Sequence, residues 1–157
     1  MRHFLACLLL ALAMPAWAGA PVFSVSNPAP RDLCPVCGMV VSKYPAWIGT
    51  VVYKDGHAHH FDGAKDLFKY LFDLKRYAKG HRVEDIARIG VTEYYEVKRI
   101  DARKAWFVIG SDVLGPMGRE LIPLASRADA EEFLRDHQGK RILRFDEVTR
   151  EVIAQLD

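Results

Sequence analysis

Two cysteines stand three residues apart in Cys34-Pro35-Val36-Cys37-Gly38-Met39, and the last residue adds a thioether. Such a pair serves four chemistries: a disulfide, a redox dithiol, half of a zinc site, or a seat for a soft metal ion. A disulfide suits an even number of cysteines in an oxidising compartment, but so short a ring gains little from loop closure and is often strained. A thioredoxin-type dithiol needs its first cysteine at a helix N-terminus, which lowers the thiol pKa. Valine and glycine here belong to no helical pattern. Zinc asks for four ligands; with no second cysteine pair in the chain, His57, His59 or His60 would have to complete the set, and both methionines would go unused. Cu(I) is soft, takes two to four ligands and favours thiolate and thioether sulfur, so it accounts for more of these residues.

The second sulfur candidate is Met117, enclosed in Gly115-Pro116-Met117-Gly118. Methionine ordinarily fills core gaps; flanked by glycines and a proline, this one is expected on a loop. His57 and His59 would share one face of a strand and His60 the other. A solvated hairpin edge is the simpler account of all three, with His59 the foremost nitrogen ligand if one binds. Asp62 and Asp66 read as a helix cap and a first-turn charge, favoured by the helix dipole, rather than as catalytic carboxylates.

The chain's beginning says where this chemistry would operate. Arg2 and His3 precede an apolar run from Phe4 to Met14, a proline and Ala16-Trp17-Ala18, the pattern of a signal peptide cut after Ala18. The run is too short to span a bilayer. Cys7 lies too early within it to be expected as a lipid-attachment site. Removing residues 1–18 from the 157 leaves 139, and the formal charge of +2 falls to +1 because Arg2 leaves with them. That balance gives no support for a nucleic-acid or anionic-membrane partner. Past residue 18 the only sulfur atoms are those of Cys34, Cys37, Met39 and Met117. The expectation is an exported, periplasmic protein with no membrane span.

The elements that must position these sulfurs follow from pattern. Residues 19–33 hold three prolines and no period, and read as an extended arm. Trp47 to Tyr53 is rich in β-branched and aromatic types, Asp55-Gly56 signals a hairpin turn, and His57 to Phe61 returns as a partner strand. A helix follows from Asp62, with Leu67, Phe68, Leu71 and Leu74 at helical spacing. A short amphipathic piece over Val83, Ile86, Ala87 and Ile89 then leads into a strand from Thr92 to Ile100. The second half repeats the order: strands at 105–109 and 119–124, a helix capped by Ser126 and stopped by Gly139, and a last strand over 141–148. Ala46-Trp47 and Ala105-Trp106 open the two halves in register. The fold class is therefore α+β, with tandem duplicated β-β-α-β units at 34–104 and 105–157.

The segments "CPVCGMVVSKYPAWIGTVVYKDGHAHHFDGAKDLFKYL" and "GSDVLGPMGRELIPL" resemble the NosL family, copper-binding accessory proteins of nitrous oxide reductase maturation. The resemblance runs from about Cys34 to Glu147. It implies an exported Cu(I) chaperone, not an enzyme, whose two β-β-α-β units are similar to part of the organomercurial lyase (MerB-like) fold. It further implies copper delivery toward the copper-sulfide cluster of nitrous oxide reductase, through a membrane transporter complex or to the reductase itself. Carried over by motif, the metal ligands fall on Cys34, Cys37 and Met117, with Met39 at the matching position of the cysteine motif. The rival readings are a disulfide-stapled docking module without metal and a thiol-dependent enzyme using Cys34 and Cys37.

Overall fold

The computed structural model describes residues 23–157. The expected signal peptide, its cleavage point after Ala18, Cys7, and residues 19–22 of the arm lie outside the described residues. The arm from residue 23 onward is irregular, and Val25 and Phe23 pack directly over Gly90, where a Cβ would meet them.

Strand β1 (Gly49–Tyr53) is buried along its whole length and occupies the centre of an antiparallel sheet. It pairs on one side with β2 (Ala58–Phe61) and on the other with β3 (Ile86–Thr92), and β3 carries β4 (Arg99–Asp101) at the edge. The β1–β2 turn closes with Tyr53 N–H donating to the His57 carbonyl (2.8 Å), and Gly56 takes φ +88°, a left-handed conformation open to glycine. Helix α1 (Ala64–Phe72) follows, turning Leu67, Phe68 and Tyr70 into the core, and breaks at Asp73, whose side chain accepts from Arg76 N–H to start α2 (Leu74–Tyr77). In the second half β5 (Trp106–Ile109) is central, flanked by β8 (Ile122–Leu124) and β9 (Arg141–Arg144). Helix α3 (Arg127–Asp136) lies between the latter two in sequence, its first turn closed by Ser126 Oγ accepting from Asp129 N–H at 3.1 Å. Both halves thus run strand, strand, helix, strand with the first strand in the middle, the α+β order expected from the pattern. Pro123 is tolerated because β8 is an edge strand.

Four local expectations are corrected. Ile86 and Ile89 belong to β3, and only Val83–Asp85 forms a short 3-10 turn before it. The strand expected over 92–100 is interrupted because the Glu93 carboxylate accepts from Tyr95 N–H (3.0 Å) and Glu96 N–H (2.6 Å), fixing a turn there. The connection at 110–118 is partly a two-stranded hairpin, β6 (Leu114–Gly115) with β7 (Gly118–Arg119), and Pro116-Met117 form its tip. The final strand stops at Arg144; a 3-10 turn at Phe145–Glu147 and a short helix α4 (Arg150–Ala154) follow, the latter capped by Thr149.

One core joins the halves. Val51, Phe61, Leu67, Phe68 and Val91 from the first share a cluster with Phe107, Ile109, Leu121, Leu143 and Ile153 from the second. Phe68 and Phe107 meet edge to face with centroids 5.4 Å apart. This core packs α1 against β1, β2 and α4, with Phe68 reaching Phe107 of the second sheet, so residues from distant parts of the chain meet at this helix.

Candidate metal centre

The Cys34–Met39 segment is a tight loop tied across its base. Leu33 and Val40 form an antiparallel bridge, Cys34 N–H donates to the Met39 carbonyl (2.8 Å) and Gly38 N–H to the Cys34 carbonyl (2.9 Å). Gly38 turns the chain at φ +78°, where a side chain would be strained. This folding aims backbone N–H groups at sulfur: Val36 and Cys37 amides at Cys34, and the Met39 amide at Cys37. Such donors favour the thiolate and so prepare both sulfurs for a cation.

Both thiols are free, and each faces a carboxylate of the turn into α1. Cys37 Sγ donates to Asp62 Oδ1 at 3.1 Å, and Cys34 Sγ to Asp66 Oδ2 at 3.4 Å. One ligand atom from each of Cys34, Cys37, Asp62 and Asp66 lies within 4.8 Å of every other. Burial raises both thiol pKa values above the ordinary range despite the backbone donors, and the two carboxylates add to the rise; Cys37 is pushed up to about 12. The thiols are therefore held protonated at neutral pH, and a metal ion bound there would have to displace those protons.

Asp62 is only 1 % exposed, and its Oδ2 has no hydrogen-bond partner among the described residues. A buried, unpartnered carboxylate oxygen beside two thiols is costly unless a cation completes it. Its role also corrects the reading of Asp62 as helix cap. The N-cap of α1 is Gly63, which has no side chain to cap with. The missing acceptor comes from far along the chain, where Glu120 Oε1 accepts from Lys65 N–H (2.5 Å) and from Leu121 N–H (2.8 Å). Gly63 must be glycine for this approach, since a Cβ there would press into the Glu120 carboxylate, with Cδ only 3.1 Å away. Asp66 likewise is more than a first-turn charge, because it is buried and receives the Cys34 thiol.

The Met117 hairpin reaches the same helix end. Gly115 packs on Glu120, and the buried Lys65 ammonium donates to the Met117 carbonyl (3.0 Å) and the Leu156 carbonyl (3.1 Å). Lys65 precedes Asp66, so adjacent residues of one helical turn hold the hairpin tip and the Cys34 thiol. The Met117 side chain is 45 % exposed, as a loop residue should be. Met39 is half-buried, and its backbone N–H and C=O both serve the cysteine loop. Of the three hairpin histidines, His60 is buried and pairs through Nδ1 with Thr50 Oγ1 at 3.0 Å. His59 is half-buried against Tyr70, and burial together with neighbouring imidazoles lowers its pKa to about 4. None of the three belongs to the sulfur and carboxylate group.

The sequence signalled the cysteines and missed Asp62, Asp66, Lys65 and Glu120. The usable hint was Phe61-Asp62-Gly63-Ala64-Lys65-Asp66, two acids and a lysine where a strand passes into a helix.

A family model described as NosL matches residues 25–153. Among curated proteins, the copper-binding lipoprotein NosL of Stutzerimonas stutzeri is 31 % identical over 130 residues, covering 79 % of this chain and 65 % of that protein. The chain thus spans just under two thirds of that relative's length. Among solved structures, the crystal structure of the copper chaperone NosL from Shewanella denitrificans superposes with a TM-score of 0.68 at 28 % identity, covering 83 % of this chain and 99 % of that one. With the family model spanning nearly all the described residues, the chain belongs to the NosL family.

Proposed function

We propose that this protein is an exported metallochaperone that binds Cu(I) and carries it for assembly of the copper-sulfide cluster of nitrous oxide reductase, and that it is not an enzyme. The single observation that supports this most is the convergence of two free thiols and two buried carboxylates within 4.8 Å, one carboxylate keeping an oxygen without a partner among the described residues. Thiolate is a favoured donor for cuprous copper. Copper is cargo, held by Cys34 and Cys37, with Met117 as the thioether that closes over the ion from the exposed hairpin tip and Met39 standing beside the cysteine loop. An accessible thioether suits transfer, because an incoming sulfur or nitrogen can add before a resident ligand leaves. The recipient is the reductase or the membrane transporter complex that serves it. Cleavage after Ala18 would release the chain into the periplasm. Among the described residues no helix is long and apolar enough to cross a membrane.

The two carboxylates favour a second reading, in which a borderline divalent ion such as Zn(II) occupies the same four donors. Anaerobic titration of the chain with Cu(I) against a competing chelator, repeated with Zn(II), separates the readings, and passage of bound copper to metal-free reductase tests delivery. Met117→Ala is expected to weaken Cu(I) binding by about tenfold or more, ~1.4 kcal/mol, while leaving the melting temperature nearly unchanged because the side chain is exposed. Unchanged Cu(I) affinity in that variant would remove Met117 from the site.

A further inference from the structure

At the other end of α1, away from the sulfur pocket, three imidazoles gather with two tyrosines. His57 and His59 lie on one face of the β1–β2 hairpin, with their Nε2 atoms 2.9 Å apart and their ring centroids 4.7 Å apart. His81, from the loop after α2, stacks on Tyr53 at 3.9 Å and lies parallel to the His57 ring at 5.6 Å. We propose that His57 and His59, with His81 turning in as a third ligand, form a second metal site suited to a borderline divalent cation of the Cu(II) type.

Three features carry this. First, two ring nitrogens of the same kind converge on one point, an arrangement that a shared ion satisfies as well as a proton does. Second, the remaining nitrogen of His59 is already engaged: Nδ1 bonds to Tyr70 Oη, which lies 2.5 Å from Tyr53 Oη. With Nδ1–H donating to Tyr70, the Nε2 lone pair of His59 is left for a metal, the usual arrangement with a second-sphere partner. Third, Asp55 and Asp85 line the cavity beside His81 together with Tyr53, Lys54 and Gly80, so carboxylates adjoin that imidazole. Imidazole suits Cu(II), Zn(II) and Ni(II), and Cu(II) heads the affinity order. The nitrogen set is unlike the sulfur pocket, so this site stands independently of the Cu(I) reading.

The full chain with Cys34→Ser and Cys37→Ser, its fold checked by circular dichroism, keeps Cu(II) from reacting with thiols. Copper(II) sulfate is expected to bind one to one, with nitrogen hyperfine structure in the electron paramagnetic resonance spectrum. Loss of a second-sphere partner alone costs about 10–100-fold, so adding His57→Ala and His81→Ala is expected to weaken binding by about a hundredfold or more. In the unsubstituted chain, substoichiometric Ni(II), which does not oxidise thiols, is expected to broaden the magnetic resonance signals of residues 56–59 and of His81. Equal Cu(II) affinity with and without the two imidazoles, or Ni(II) broadening confined to residues 34–39, would overturn the proposal.

Discussion

The capping of α1 by Glu120 across Gly63 makes a quantitative prediction. In Gly63→Ala the new methyl would sit inside the Glu120 carboxylate, with Cδ at 3.1 Å, closer than the favourable separation of about 3.5–4.0 Å between carbons. Glu120 cannot swing aside cheaply, because it is buried and its Oε1 is held by two backbone N–H groups. Overpacking a well-filled site costs about 1–3 kcal/mol, and a lost N-terminal cap costs about 0.5–2 kcal/mol. The substitution should therefore destabilise by about 2–4 kcal/mol, read as a melting temperature lower by roughly 5–15 °C. The assay is a double-mutant cycle by urea or thermal unfolding. Glu120→Ala alone loses the cap, but in that background Gly63→Ala no longer meets an obstacle and should cost less than about 0.5 kcal/mol. The coupling energy is then about 1.5–4 kcal/mol, at the upper end of what is measured for residues in contact. Simple additivity of the two substitutions, or a Gly63→Ala protein as stable as the parent, would refute the account of how the hairpin is fastened over the helix.

Two further expectations concern protons. Because burial and the facing carboxylates keep both thiols protonated at neutral pH, Cu(I) binding should release one proton for each thiol engaged, two if both bind. Apparent affinity then rises about tenfold per pH unit per proton between pH 6 and 8, and calorimetry in buffers of differing ionisation enthalpy counts the protons; a count of zero would mean that neither thiolate binds. Glu120 is raised to about 8 by burial, against the opposing pull of the Leu121 and Lys65 N–H groups and the Lys65 charge. A carboxyl that binds its proton more tightly when folded stabilises the fold below the unfolded value, and the contribution fades as pH climbs through about 8. His59, lowered to about 4 chiefly by burial, acts oppositely below pH 6.5, so the clean window is pH 6.5–8. There stability should fall by up to about 1.4 kcal/mol per pH unit, a slope that Glu120→Gln abolishes; an identical slope in the variant would contradict the assignment.

Local interactions wrote part of this molecule plainly. Cys34, Cys37 and the glycine that turns between them and Val40 are close in sequence, so spacing alone fixed a loop with two sulfurs. Asp55-Gly56 fixed a hairpin and Ser126 a helix start, since turn and cap preferences depend on a few neighbouring residues. The repeated strand-strand-helix-strand order was visible for the same reason, through hydrophobic period. What only the tertiary structure decided is who faces whom. Asp62 looked like a cap because nothing nearby in sequence tells that Glu120, fifty-five residues beyond Lys65, takes the capping task and leaves Asp62 to the Cys37 thiol. His81 joins His57 and His59 only because the chain after α2 returns to the hairpin. Period and propensity are summed over neighbours along the chain, whereas desolvation, charge pairing and ligand convergence are set by the distant segments that a shared core brings together.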